Sequence, residues 1–290
     1  MKPRKLPGSE LDPQSREFYQ ASLRLLKEAD LPFMVGGAYS FARYTGIERH
    51  TKDFDIFVRP EDCSRVLNAL EGAGCRTDLT FPHWLGKAFN GENFIDVIYS
   101  SGNGVVRVDD GWFEHAVEEV VLEIPVLLCP AEETIWSKAF VMERERYDGA
   151  DIAHLLRASG RDMDWNRLIR RFGPHWRVLM SHLVLFGFVY PSDRDIVPQW
   201  VMDELIRRLK DEGAKPGQEK ICQGTLFSRA QYLVDIEHWG YRDARLLPEG
   251  AMSPRDVAQW TAAIEDEKPT EAVRPTLGGD AKACTSQSKS

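Results

Sequence analysis

The chain has 290 residues, 43% apolar and 28% charged, with 37 lysines and arginines against 45 aspartates and glutamates. That composition excludes a disordered chain and predicts a globular protein of one large domain or two modest ones. The net charge of −8 argues against strong nonspecific nucleic-acid binding, which draws its affinity from neutralising phosphates.

The N-terminal stretch MKPRKLPGSELDPQ is charged and Pro-rich without an apolar h-region, so no secretory signal is expected. Residues 14–29 place Phe18, Leu23, Leu25 and Leu26 at helical spacing and stop at Asp30-Leu31-Pro32. Phe33-Met34-Val35 reads as a short buried strand ending at Gly36-Gly37. Ala38 to Tyr44 starts a helix that Gly46 closes, and Asp53 to Val58 alternates acidic and apolar residues as a strand does. Pro60 to Gly72 is a helix with Val66, Leu67 and Leu70 inward, and strands follow near Phe89, at Phe94–Tyr99 and at Val120–Cys129.

From Pro130 the pattern turns helical. Ala131–Arg146, Ala150–Ala158, Trp165–Phe172, His175–Phe188 and Gln199–Asp211 are the expected helices of a bundle. Thr225–Trp239 is apolar and fits strand or helix. After about Glu267 the composition predicts a disordered tail. The apolar run Val178 to Tyr190 is too short to span a bilayer. Five cysteines without a CxxC suit reduced thiols, so cytoplasmic residence is expected.

Three features carry chemistry. Val35-Gly36-Gly37 sits between a strand and a helix, where paired glycines allow close approach and amides favour phosphate; a plain tight turn is the alternative. Asp53 and Asp55 share one face of a strand while Phe54 and Ile56 share the other. Hard oxygens so placed suit Mg²⁺, although a solvated strand face has the same pattern. Asp96 interrupts the apolar run Phe94-Ile95-Asp96-Val97-Ile98, so it needs a partner, a proton or a metal, or faces solvent. Beside the Asp53–Val58 strand it would complete a three-carboxylate cluster able to hold two metals. Lys52 and Arg49 flank the acidic strand within reach of phosphates, or as ordinary surface pairing.

In this order the three features resemble the nucleotidyltransferase superfamily, which includes polymerase beta, CCA-adding enzymes and the antibiotic and minimal nucleotidyltransferases. The resemblance covers roughly residues 31–100. It implies an α+β fold: a small mixed sheet with flanking helices, followed by a helical bundle. With the change of pattern at Pro130 and the composition of the tail, the expected division is a catalytic domain at 14–129, a mainly helical domain at 130–265 and a disordered tail at 266–290.

The implied activity is transfer of a nucleoside monophosphate from an NTP to an acceptor hydroxyl, with Mg²⁺ or Mn²⁺ as cofactor. Gly36 and Gly37 would then cradle the triphosphate, Asp53 and Asp55 would ligate the metals, and Asp96 would hold the catalytic metal and help deprotonate the acceptor. Lys138, Arg146, Asp148 and Asp151 in KAFVMERERYDGAD resemble a stretch of abortive-infection-type nucleotidyltransferases, which would turn Lys138 toward the triphosphate. Tyr147 stands where that stretch has a lysine, and a solvated helix face explains the same charges. The acceptor is a small molecule, a tRNA end or a protein, and no membrane partner is expected. The alternative is a weakly catalytic interaction protein of toxin–antitoxin type that keeps the fold.

Overall fold

The computed structural model describes residues 11–48, 53–213, 217, 219–248 and 250–263. Lys52, Arg49 and the C-terminal tail lie outside these residues. The first helix, α1 (Pro13–Glu28), begins at Asp12, whose carboxylate accepts the Ser15 amide at 2.9 Å, with Pro13 at its first position. It is followed by β1 (Met34–Val35), α2 (Gly37–Thr45), β2 (Asp53–Phe57) and α3 (Pro60–Gly72). Next come β3 (Arg76–Phe81), β4 (Leu85–Asn90), β5 (Asn93–Ile98) and the short α4 (Asp110–Glu114), then β6 (Val117–Val121) and β7 (Ile124–Leu128).

These strands form one seven-stranded sheet in the order β3-β4-β5-β2-β1-β7-β6. β2 runs parallel to β5 and β1 runs parallel to β7, while the other neighbours are antiparallel. The sheet is therefore mixed, as expected. The helical part comprises α5 (Ala131–Lys138), α6 (Gly149–Ser159), α7 (Trp165–Phe172), α8 (Trp176–Val189) and α9 (Gln199–Glu212). The last described segment holds β8 (Ile221–Cys222), α10 (Leu233–Glu237), β9 (Arg242–Asp243) and α11 (Pro254–Ala262).

Strand alternation sorts side chains between two apolar clusters. Phe54 and Ile56 of β2 and Ile95 and Val97 of β5, all fully buried, meet Leu23 and Leu26 of α1 and Val66 and Leu70 of α3. The opposite face of the sheet meets the helices: Met34, Phe41, Trp112 and Cys129 belong to one cluster with Ile135, Leu155, Leu168 and Leu179. Asp53 and Asp55 share that second face with Phe57, which stacks on Trp112 with ring centroids 5.5 Å apart. The acidic side chains thus lie on the side of the sheet that the helical segment covers.

Three expectations need correction, and two elements were not expected. Val120–Cys129 is not one strand but the hairpin β6–β7, turned by Leu122 and Glu123 at φ 49° and 66°. No glycine marks this turn; Gln20 holds it from α1, donating to the Leu122 carbonyl at 2.9 Å. The Ala131–Arg146 helix ends at Lys138, because the Glu143 carboxylate accepts hydrogen bonds from Ser228 and Arg229 and draws the following loop away. Thr225–Trp239 holds no long element: it starts inside a 3-10 turn, Gln223–Leu226, and includes the short α10. The edge strand β3, with a largely exposed side-chain pattern, and α4 had no periodic signal to reveal them.

No helix among the described residues is long and apolar enough to cross a membrane. Cys63, Cys75, Cys129 and Cys222 are free thiols. The two histidines in and beside α8 are packing groups: His182 bonds the Ala139 carbonyl at 2.9 Å, and His175 meets Phe140 edge-on.

Candidate active site

β1 delivers the chain to Gly36, whose amide still belongs to the sheet, donating to the Asp55 carbonyl at 3.0 Å. Gly36 then caps α2. A Cβ at Gly36 would stand 2.3 Å from the Phe57 ring. At Gly37, with φ +53°, it would stand 1.7 Å from Asp55 Oδ2. Both glycines are therefore required by the approach of this loop to β2, and Gly37 also by its left-handed backbone. The first amides of a helix have no partners within the helix, so this N-terminus points donors at the region beside Asp55.

Gly37→Ala should displace the Asp55 carboxylate more than it destabilises the fold. The left-handed conformation costs about 1 kcal/mol with a Cβ, while in the reaction proposed below a reacting carboxylate moved by about 1 Å would lose on the order of 100-fold in rate. Thermal melting and nucleotide turnover of the same preparation check both numbers.

The parallel pairing of β2 with β5 sets Asp55 opposite Asp96. Asp53 lies two residues earlier on the same face and is exposed, while Asp55 is half-buried. Burial pushes the Asp55 carboxyl up to about 7, and the neighbouring Asp96 and Asp53 charges add to the rise. Lys138 and Lys87 pull it the other way. Burial also raises Asp96, and Lys87 opposes this.

Lys87 is the residue that the sequence motifs missed. Gly86-Lys87 followed by Ala88 is no phosphate-binding loop, and nothing else in the local sequence marks the lysine. On β4 it stands directly across from Asp96 in the antiparallel register. Its Nζ is 2.8 Å from Asp96 Oδ1 and lies over the Phe94 ring, 4.3 Å from the centroid. Asp96 thus has a charge partner in the sheet, but its buried Oδ1 accepts no hydrogen bond of good geometry.

Lys138, in the last turn of α5, ion-pairs with Asp151 at 2.8 Å and with Asp148 at 3.2 Å. Arg146 also grips Asp148, with two bonds of 3.1 Å. Burial would raise the Asp148 carboxyl, but Arg146 and Lys138 hold it below the usual range. The four residues of the KAFVMERERYDGAD stretch do meet, across a loop instead of along one helix. The charge of Lys138 reaches Asp55, although its ammonium is committed to two carboxylates.

Among the described residues, no group of three or more His, Cys, Asp or Glu is arranged to hold a metal ion. The donor set on β2 nevertheless fits one hard divalent cation. Asp53 and Asp55 offer oxygens from alternate positions of one strand face, and burial together with the Asp96 and Asp53 charges disfavours the ionised form of Asp55, a cost that a cation would offset.

A second charged cluster supports the helical side. Glu133, with a side chain 0% exposed, bonds Arg171 at 2.8 Å and lies 3.6 Å from Arg167. Arg167 also pairs with Glu132. Arg171 reaches across to Asp109 with bonds of 2.6 and 2.8 Å, tying α7 to the loop before α4.

No family model matches the chain, and no curated protein matches it. Solved structures do resemble it. The antibiotic-resistance factor ANT(2'')-Ia is 17% identical with a TM-score of 0.42, the match covering 59% of this chain and 98% of that one. The lincosamide antibiotic adenylyltransferase LnuA is 14% identical with a TM-score of 0.36, covering 52% and 98%. JHP933 from Helicobacter pylori is 13% identical with a TM-score of 0.37, covering 71% and 99%. The structural neighbours thus include antibiotic adenylyltransferases, a class within the superfamily that the glycine and aspartate motifs resemble. At these identities and scores the likeness is one of general shape, and the functional reading rests on this chain's own side chains.

Proposed function

We propose that the chain is a nucleotidyltransferase that moves a nucleoside monophosphate from an NTP to an acceptor hydroxyl. The observation that carries this reading is the β2–β5 register: it puts Asp55 beside Asp96, with Asp53 on the same face and the Gly36-Gly37 turn pressed against Asp55. In this reading the amides at the start of α2 bind the triphosphate, and Gly37 lets them come close to Asp55. Asp53 and Asp55 hold a divalent cation, Mg²⁺ or Mn²⁺, which neutralises phosphate charge when bound.

Asp96, raised by burial, accepts the proton of the acceptor hydroxyl. The acceptor oxygen forms a bond to the α-phosphorus. The bond from that phosphorus to the bridging oxygen breaks, and pyrophosphate leaves with the electron pair. Lys138 adds positive potential near Asp55 while braced by Asp148 and Asp151. Catalysis of this kind works through placement and charge.

The acidic surplus of the chain favours a small cationic acceptor over a tRNA end, because a negative field concentrates cations. We place the reaction in a catalytic domain at 14–129, with the helical domain at 130–265 shaping the acceptor side. Incubation with each of four α-labelled NTPs and Mg²⁺, against pooled antibiotics, tRNA and protein, should transfer label to a small molecule and release pyrophosphate. If calorimetry shows no binding of any NTP with Mg²⁺, the reading fails in favour of a non-catalytic interaction protein.

A further inference from the structure

We propose that Arg229 is a positioning residue for the nucleotide: clasped between Glu143 and Trp260, it ties the loop that braces Lys138 to the catalytic sheet and so fixes the lysine that receives the triphosphate. The assignment rests on the transferase reading above and adds a remote residue to the same site.

Lys138 closes α5, and its partner Asp148 caps the start of α6. The loop between them folds back on itself, with the Asp148 amide donating to the Val141 carbonyl at 3.2 Å. Residues 227–231 grip that loop from outside. The Glu143 carboxylate accepts from Ser228 Oγ at 2.6 Å, from the Arg229 amide at 3.1 Å and from Arg229 Nε at 3.0 Å. The Met142 amide donates to the Phe227 carbonyl at 3.3 Å. The Arg229 and Glu143 side chains are only 12% and 20% exposed, so solvent screens this pair less than it screens an ordinary surface pair.

The other side of the clasp is aromatic. The Arg229 guanidinium lies over the ring of Trp260 in α11, 4.4 Å from a centroid. Trp260 in turn meets Phe81 and Trp84 edge-on, with ring centroids 4.9 and 5.3 Å away. Those two residues flank the turn from β3 into β4, the strand that bears Lys87. Gly102 leaves the seat open, since a Cβ there would stand 2.3 Å from the Trp260 ring. Gln259 adds a bond to the Thr80 carbonyl of β3 at 2.9 Å.

One planar group thus joins the α5–α6 loop to the sheet edge, by hydrogen bonds on one side and by stacking on the other. Both lysines whose charge acts on Asp55 stand on elements that this clasp connects. Its effect reaches the phosphates through Lys138. Ser228 and the Arg229 amide still hold Glu143 when the guanidinium is removed, so the effect of that removal is partial.

The test is a double-mutant cycle in nucleotide affinity, independent of turnover. Calorimetry reads the Kd of non-hydrolysable analogues of ATP, GTP, CTP and UTP, each with Mg²⁺, on the full-length chain. Arg229→Met should weaken the bound analogue about tenfold, the scale of coupling carried through packed contacts. Trp260→Leu should do the same from the other side of the clasp. Lys138→Met should weaken binding at least as much, and adding Arg229→Met to it should change little further, because Arg229 acts through Lys138.

An unchanged Kd in Arg229→Met or Trp260→Leu would overturn the assignment even where the melting temperature falls, since the clasp would then serve only the fold. Additive losses of Arg229→Met and Lys138→Met would overturn it too, as would a Lys138→Met protein that binds like wild type. In each of these cases the transferase reading stands. A wild-type chain that binds no analogue would sink the transferase reading itself. If Arg229→Met fails to fold, Trp260→Leu with Lys138→Met completes the same cycle.

Discussion

Asp55→Asn should lower nucleotidyl transfer by about 100- to 1,000-fold while making the cation-free protein more stable at pH 8. In the proposed reaction Asp55 would hold the cation that faces the phosphates, and removing one preorganised electrostatic contact of this kind typically costs about 100- to 1,000-fold. The gain in stability follows from the pKa. Asp55 is pushed from an ordinary 3.8 up to about 7, first by burial and then by Asp96 and Asp53.

For an acid whose folded pKa is raised, the stabilising contribution is complete below the ordinary value and is lost as pH rises through the folded one. The wild type should therefore lose stability from this group between about pH 4 and pH 7. A shift of this size corresponds to about 4 kcal/mol at most, and residual solvent contact at the half-buried carboxyl lowers that to about 2.

An asparagine cannot ionise, so the variant escapes the loss. At pH 8 without divalent cation it should melt about 4 °C above wild type, and below pH 4 the two should coincide. Thermal melts across that range with and without Mg²⁺ decide the matter. A variant that is less stable than wild type at pH 8 would show that Asp55 is not the strained charge described here.

Arg167→Ala should destabilise the fold by about 3 kcal/mol, because breaking a buried ion pair leaves carboxylates without their cation. Arg167 lies between Glu132 and Glu133, and Glu133 is fully buried. Burial already raises the Glu133 carboxyl against the pull of Arg167 and Arg171. Arg171 remains bonded to Glu133 in the variant, which keeps the loss below the upper range for such pairs.

The expected drop in Tm is about 6 °C or more for a chain of this size. Adding Glu133→Gln to Arg167→Ala should recover part of it, since an amide needs no countercharge. Calorimetry of the four proteins in this cycle tests the coupling; strictly additive effects would contradict the network.

Much of the sheet-bearing half was legible along the chain. The alternation in Asp53–Val58 placed two carboxylates on one face and Phe54 and Ile56 on the other, and the structure has that arrangement. The Gly36-Gly37 turn and the strand bearing Asp96 were equally local. The helices of α6 to α9 followed from apolar spacing and short breaks, with bounds that agree to within a residue or two. The misread places are those decided at a distance. The β6–β7 turn lacks glycine and is held by Gln20 of α1, and α5 stops early because Glu143 is engaged by residues 228 and 229.

The sequence by itself determined which residue types can do chemistry here and which face of β2 they share, because strand alternation is a property of a few neighbouring residues. Only the tertiary structure decided what those residues meet. The register of β5 beside β2 brings Asp96 to Asp55, and the register of β4 beside β5 brings Lys87 to Asp96. Strand pairing is set by loops, turns and the burial of whole faces, so no local pattern announces it. That pairing sets the three carboxylates on one face of the sheet and brings the Lys87 ammonium to one of them.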